Sequence, residues 1–346
     1  MFAIGETTVT IGDTICAAHF RGELAATWKR IAAIMEEGES ASPPDDVELQ
    51  ASSEQFRIDR DLITVEETER WLEERGLTLD DFNNFLVRQW IDQAVHGELV
   101  GHEVIEYTSA PSDLRDALRI DLLFSGEFDR LATRLGWRSA ARASAQDRVS
   151  DEAIEIERAC FYQRSGTNDA SLPAWLAGLE RDSLWFNQML ELEAVFRRDC
   201  DALLTLKARE RMLQSLRLPL TQFELEFLEL DSLDAAREAI QCVSEDGESM
   251  EDVATAACLP FQRVDVRYED LPEDLQRRLL SAMAGEILQP ISNGDGFKLC
   301  RLVQKIESDL ADEGVRSRVD LRIVERHFSE LAARFVRWIL LPASTA

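Results

Sequence analysis

At Pro219 the hydrophobic period of this chain changes from that of a helix to that of a strand. Upstream, apolar residues recur three and four positions apart; downstream, Thr-Gln-Phe-Glu-Leu-Glu-Phe-Leu-Glu-Leu over residues 221–230 alternates apolar and acidic side chains. Side chains repeat every 3.6 residues on a helix and every two on a strand, so one segment cannot satisfy both patterns. The chain therefore needs a helical part and a part built on a half-buried sheet. With 346 residues, 45% of them hydrophobic, it is long enough to give each part a core.

Residues 14–37 carry Ile15, Phe20, Leu24, Trp28, Ile31 and Ile34, which predicts a helix with a buried stripe. Pro43-Pro44 and Asp45-Asp46 break it. Thr64 with Glu67 reads as a capping box, Gly76 as a left-handed stop, and Thr78 with Asp81 as the next N-terminus, leading into Phe82, Phe85, Leu86 and Trp90. Further helices are predicted over 114–135, 151–162 and 184–216, with loops at 139–150 and 165–171. The helix over 184–216 stops before Pro219, as the residue preceding a proline is biased away from helix.

Beyond Pro219, Asp231-Ser232 caps a helix to about residue 243, and residues 249–258 form a short second one. Pro272 opens a third, which Gly285 ends. Residues 287–291 and 297–303 read as strands around the turn Asn293-Gly294-Asp295-Gly296, and 263–268 as an extra strand. The fold class is α+β, with helices packed on a small antiparallel sheet.

The formal charge is −28, with 66 acidic against 38 basic residues spread along the whole chain. Such a surface repels phosphate backbones, which makes nucleic acid an unexpected partner; it either attracts basic peptides at long range or only keeps the protein soluble. No run of eighteen apolar residues and no targeting segment is visible, so no membrane insertion is expected and the cytoplasm is the expected location. Six cysteines (16, 160, 200, 242, 258, 300) show neither a C-x-x-C pair nor a nearby histidine pair, which argues against zinc and against a disulfide framework. His96 and His102 have no third ligand within reach in the sequence. Gly294-Asp295-Gly296 is too short for a phosphate loop. No cofactor and no metal are expected.

Within this frame, Phe227-Leu228-Glu229-Leu230 followed by Asp234-Ala235-Ala236, and later Gly285-Glu286, Pro290-Ile291 and Gly296-Phe297, resemble the opening and closing of a parvulin-type prolyl isomerase domain. The resemblance covers about residues 220–306. Residues 56–82 are similar to the helical segment that precedes such domains in SurA-like chaperones and in peptide-maturation relatives of the parvulins. That implies three parts: a helical chaperone-like domain over 1–218, a parvulin-like domain over 219–308, and a tail over 309–346. In the tail, a helix over 319–341, with Ile323, Phe328, Leu331, Phe335 and Trp338, would return to the helical domain.

Parvulins place two histidines and a Cys or Asp around the prolyl amide. On a gapless alignment those histidines become Phe227 and Lys298, and Cys258 falls near the third position, where it is either a pocket residue or an ordinary packed cysteine. The family's proline-holding Met and Phe fall at Leu271 and Leu275, which either line a groove or form the core of a capped helix. The resemblance thus implies a substrate-binding set of Phe227, Leu271, Leu275, Phe297 and Lys298 with the catalytic dyad replaced. Rotation about an X–Pro bond faces a barrier of about 18–20 kcal/mol, and the groups that would favour the twisted amide are missing. The expected activity is that of a non-catalytic or weakly active chaperone holding an unfolded or precursor polypeptide, basic or proline-containing. The alternatives are an active isomerase supported by Cys258, Glu229 or Lys298, and a docking subunit of a larger assembly.

Overall fold

The computed structural model describes residues 1–38, 44–94, 106–294 and 296–339. Pro43, His96, His102 and Asp295 lie outside the described residues. The chain forms two compact units, one from residues 1–201 together with the chain from His327 onward, the other from Ala202–Arg326.

The first unit opens with β1 (Phe2–Ile4) and β2 (Thr7–Val9). Then come α1 (Ile11–Phe20), α2 (Ala25–Gly38), α3 (Asp46–Asp59), α4 (Val65–Glu74) and α5 (Leu79–Ala94). After them follow α6 (Ser112–Ser125), α7 (Glu127–Ser144), α8 (Asp151–Ser165), α9 (Leu172–Gly178) and α10 (Ser183–Leu203). The capping chemistry read from the sequence is present. Glu67 N–H donates to Thr64 Oγ1 at 3.2 Å while Thr64 N–H donates to Glu67 Oε2 at 2.8 Å. Gly76 takes φ +62°, and Thr78 and Asp81 cap α5 reciprocally at 2.8 and 3.1 Å.

Three of the long predicted helices are interrupted. The segment 14–37 is α1 and α2, separated at Gly22 (φ +70°), where an added Cβ would meet Arg164 Cδ at 2.8 Å. The segment 114–135 is α6 and α7, separated at Gly126 (φ +79°). The segment 184–216 is α10 and α11 (Leu206–Ser215), the latter capped by Thr205 Oγ1, which accepts from Ala208 N–H at 3.2 Å. The apolar spacing carries across the first two breaks because the helices on either side face a shared core, so periodicity alone does not reveal them. Conversely, α7 continues through the predicted loop as far as Ser144, burying Ala140 and Ala141, two strong helix formers.

The core of this unit is centred on Phe124. Its ring stacks on Phe85 at 4.7 Å and on Phe82 at 5.5 Å, with Phe56 edge-on at 5.6 Å. Arg60 lies over Phe56 at 3.8 Å and donates to the Phe124 carbonyl. A three-stranded antiparallel sheet, order β2-β1-β7, is completed by β7 (Val336–Trp338). These strands of three residues are too short for alternation to announce them.

The second unit contains α11, α12 (Arg217–Leu220), β3 (Gln222–Leu230), α13 (Leu233–Ser244), α14 (Met250–Ala257), β4 (Phe261–Arg267), α15 (Glu273–Ser281), β5 (Ile291–Asn293) and β6 (Gly296–Ile306). The chain then enters α16 (Glu313–Phe335), whose last turns belong to the first unit. The fold is therefore α+β as expected, with the C-terminal helix returning to the helical unit. That helix starts earlier than expected, at Glu313, and its expected end is replaced by β7.

The sheet order is β4-β3-β6-β5, antiparallel throughout. β3 is more deeply covered than a half-buried strand. Phe223 and Leu225 face the core that contains Leu271, Leu275 and Leu279, whereas Leu228 and Leu230 face Ala236, Ala239 and Val253 of α13 and α14. The consecutive pair Phe227-Leu228 is where the apolar set changes face. Residues 287–291 do not form the predicted strand. Ile287 makes a single bridge to Arg301 and β5 begins only at Ile291, because Pro290 has no N–H to continue the ladder. Likewise α15 ends at Ser281, ahead of Gly285, which instead turns at φ +88° and donates to the Leu302 carbonyl at 2.6 Å.

His19 on α1 stacks against Tyr107 with ring centroids 3.7 Å apart, and its Nε2 is shut off from solvent without a hydrogen-bond partner among the described residues. Burial lowers its pKa to about 3. Since the folded value lies below the unfolded one of 6.5, the unfolded chain binds the proton first on acidification. Stability held by the neutral ring is complete above pH 6.5 and drains away as the pH falls toward 3. Urea denaturation at pH 7 and pH 4.5 should show an acid loss in the native chain larger by roughly 2–3 kcal/mol than in His19→Phe. Equal acid losses in the two chains would contradict a buried neutral ring.

Candidate functional site

The residues that the sequence nominates are distributed over both faces of the second unit's sheet. Antiparallel pairing sets Phe227 opposite Cys300, Glu229 opposite Lys298, and Lys298 opposite Ile291. Phe227, Cys300 and Ile291 belong to or pack on the core that holds Leu271 and Leu275. Lys298 Nζ lies 3.7 Å from Glu229 Oε1 and 4.5 Å from the centre of the Phe227 ring.

The structure thus brings Phe227, Leu271, Leu275 and Lys298 together. It does not bring Phe297 or Cys258 to them. Phe297 lies opposite Leu230 and packs on the α13–α14 side of the sheet. Cys258 is exposed at the C-terminus of α14, where it takes the left-handed conformation at φ +53°.

Leu271 and Leu275 are only 8% and 7% exposed. Leu275 projects from the first turns of α15, and the Leu271 carbonyl accepts from Gln276 Nε2 at 2.7 Å. These leucines are core, and they support the surface that Phe227 and Ile291 present half-buried. Exposed apolar side chains lie at the end of the same helix and just beyond it, where Leu280 is 52% and Met283 75% exposed.

The chemistry available here is narrow. A neutral imidazole can donate and accept in the same geometry, whereas an ammonium only donates. The Lys298 donor is turned to the Glu229 carboxylate and the Phe227 π-face, an arrangement of partly exposed groups worth on the order of 1 kcal/mol or less. Cys300 is buried beneath, and desolvation pushes its thiol up to about 12, so it stays protonated at neutral pH and is a poor nucleophile. The second unit contains no histidine. Among the described residues no group of His, Cys, Asp and Glu is arranged to hold a metal ion, and no helix is long and apolar enough to cross a membrane. Ile291 carries part of the family resemblance but is not in the binding set that it implies, although the hairpin register sets it opposite Lys298.

No protein-family model matches the chain, and no curated protein matches it significantly. Among solved structures, the chain is similar to the peptidylprolyl isomerase PrsA of Bacillus cereus, with 10% identity and a TM-score of 0.38 over 64% of this chain and 85% of that one. It is also similar to PrsA of Bacillus anthracis, with 11% identity and a TM-score of 0.30 over 59% and 94% of the two chains. A third similarity is to a structure of SurA-like chaperones from Campylobacter jejuni, with 8% identity and a TM-score of 0.20 over 63% and 88%.

Core leucines and surface charges respond differently to truncation. Leu275→Ala should destabilise the protein by about 2–4 kcal/mol, and Lys298→Ala by less than about 1 kcal/mol, both read from chemical denaturation. A cost below about 0.5 kcal/mol for Leu275→Ala would return that residue to the role of an open groove liner.

Proposed function

We propose that this protein is a parvulin-like chaperone that binds unfolded or precursor polypeptide without appreciably catalysing prolyl isomerisation. The observation that carries this reading is that Phe227 and Lys298 stand where the family resemblance puts the imidazole dyad, with the Lys298 ammonium 3.7 Å from the Glu229 carboxylate and 4.5 Å from the Phe227 ring centre. An apolar ring with a hydrated ion pair beside it offers contact area to an extended chain. It offers no dry donor–acceptor pair to a twisting amide. The half-buried Phe227 and Ile291 and the exposed Leu280 and Met283 supply the apolar surface. The net charge of −28 favours basic clients, whose binding weakens as salt screens the attraction. The reading includes a reducing, cytoplasmic setting, supported by six cysteines that are all free thiols.

Two assays on the full chain test this together. In a protease-coupled assay on a short prolyl peptide, the observed rate should equal the uncatalysed one, and Lys298→His alone should not raise it. In an aggregation assay, stoichiometric protein should keep a chemically unfolded basic protein in solution, less effectively at 0.5 M salt. Turnover above background would establish the active isomerase instead. Absence of both activities would leave the docking-subunit reading in its place.

A further inference from the structure

The first unit holds a cleft of about 380 Å³ between the start of α1, the first turns of α6 and the turn that follows α9. Its apolar wall includes Ile15, Tyr107 and Leu179, and its charged wall Arg115, Arg119 and Arg181. Three guanidinium groups in one cleft run against the composition of a chain with 66 acidic and 38 basic residues.

The three arginines are unequally committed. Arg181 Nη2 is 2.8 Å from Asp13 Oδ1. Among the described residues Arg119 pairs only with Asp116, at 3.8 Å and one turn away on its own helix. Arg115, four residues before Arg119 and so on the same face of α6, forms no ion pair among the described residues. The carboxylates lining the cleft are Asp116 and Glu180, and with Arg181 neutralised by Asp13 the guanidinium groups left to face a ligand are those of Arg115 and Arg119.

The backbone around the cleft is held in a costly shape. α9 closes with Glu180 N–H donating to Ala177 O at 3.0 Å and Arg181 N–H to Leu176 O at 2.9 Å. Glu180 sits in the left-handed conformation at φ +56°, a position that glycine normally fills. Just before it, Gly178 approaches Thr108 so closely that an added Cβ would lie 2.7 Å from that residue's carbonyl oxygen. Strain tolerated at a packed turn beside a cleft is common at ligand sites. The floor adds no negative charge. Burial raises the pKa of the Cys16 thiol and pushes the Tyr107 hydroxyl up to about 12, so both remain neutral at pH 7.

We propose that this cleft binds a monocarboxylate carried on an apolar body, with Arg115 and Arg119 holding the anion and the half-buried Tyr107 ring, backed by the buried Ile15 and Leu179, facing the body. The planar guanidinium fork matches a carboxylate, the volume suits a small ligand, and the Asp116 and Glu180 carboxylates repel a phosphate dianion more than a monoanion. The ligand is either a free organic acid or the C-terminus of a peptide ending in an apolar residue. The site is independent of the second unit and stands whatever that unit binds.

Isothermal titration of the full chain tests the proposal with four probes: 3-phenylpropionate, the acetylated peptide Gly-Gly-Phe as free acid, the same peptide as its amide, and inorganic phosphate. At least one carboxylate should bind, with the amide and phosphate at least tenfold weaker. The tighter of the two carboxylates identifies the source, and either order supports the site. Arg115→Gln and Arg119→Gln should each weaken the carboxylate about ten- to a hundredfold without changing thermal unfolding. Should Arg115→Gln fail to fold, Arg115→Lys, which keeps the charge and loses the fork, is expected to weaken binding about tenfold. The proposal is overturned if acid and amide bind alike, if phosphate binds as tightly as the carboxylates, if the folded arginine variants keep full affinity, or if no carboxylate binds at millimolar concentration.

Discussion

The second unit depends on one strand being covered from both sides. β3 pairs with β4 on one edge and β6 on the other, and its apolar residues change face between Phe227 and Leu228. Phe223 and Leu225 anchor the core on the α15 side, and Leu228 and Leu230 the core on the α13–α14 side. A slip of one residue would turn each set toward the wrong helices, so both cores enforce the register. That register is what sets Phe227, Glu229 and Lys298 beside one another.

Much of this is legible in the sequence. Alternation over 221–230, the caps at Thr64 and Thr78 and the stop at Gly76 are local signals, and each reports a local hydrogen-bonding need that the structure meets in the expected way. What stayed hidden depends on tertiary packing. Gly22 and Gly126 interrupt helices while leaving the apolar spacing intact. The change of face is written in the consecutive apolar pair Phe227-Leu228, which breaks the two-residue period, but which helices cover each face is not.

The candidate site shows the same division. The resemblance nominated five binding positions, and four of them, Phe227, Leu271, Leu275 and Lys298, meet on one side of the sheet. Phe297 does not, because adjacent residues on a strand point to opposite faces, and Phe297 follows the parity of Leu299 rather than that of Lys298. Burial also divides the four. Leu271 and Leu275 hold up the surface from beneath, while Phe227 and Lys298 remain open to a partner. No residue pattern within α15 distinguishes a supporting leucine from a contacting one, since that depends on the strands packed against the helix.

On the proposed function, a half-buried aromatic ring and an ion pair hold an extended chain while leaving its amide torsions untouched. The most direct measurement is a nuclear magnetic resonance titration of the isotopically labelled protein with a basic, proline-containing unfolded peptide, recording the peptide's cis–trans exchange in the same sample. The account predicts shift changes centred on the amides of Phe227, Ile291 and Lys298 and an exchange rate equal to that of the free peptide. Shift changes that avoid this face of the sheet, or exchange accelerated by the protein, would contradict it.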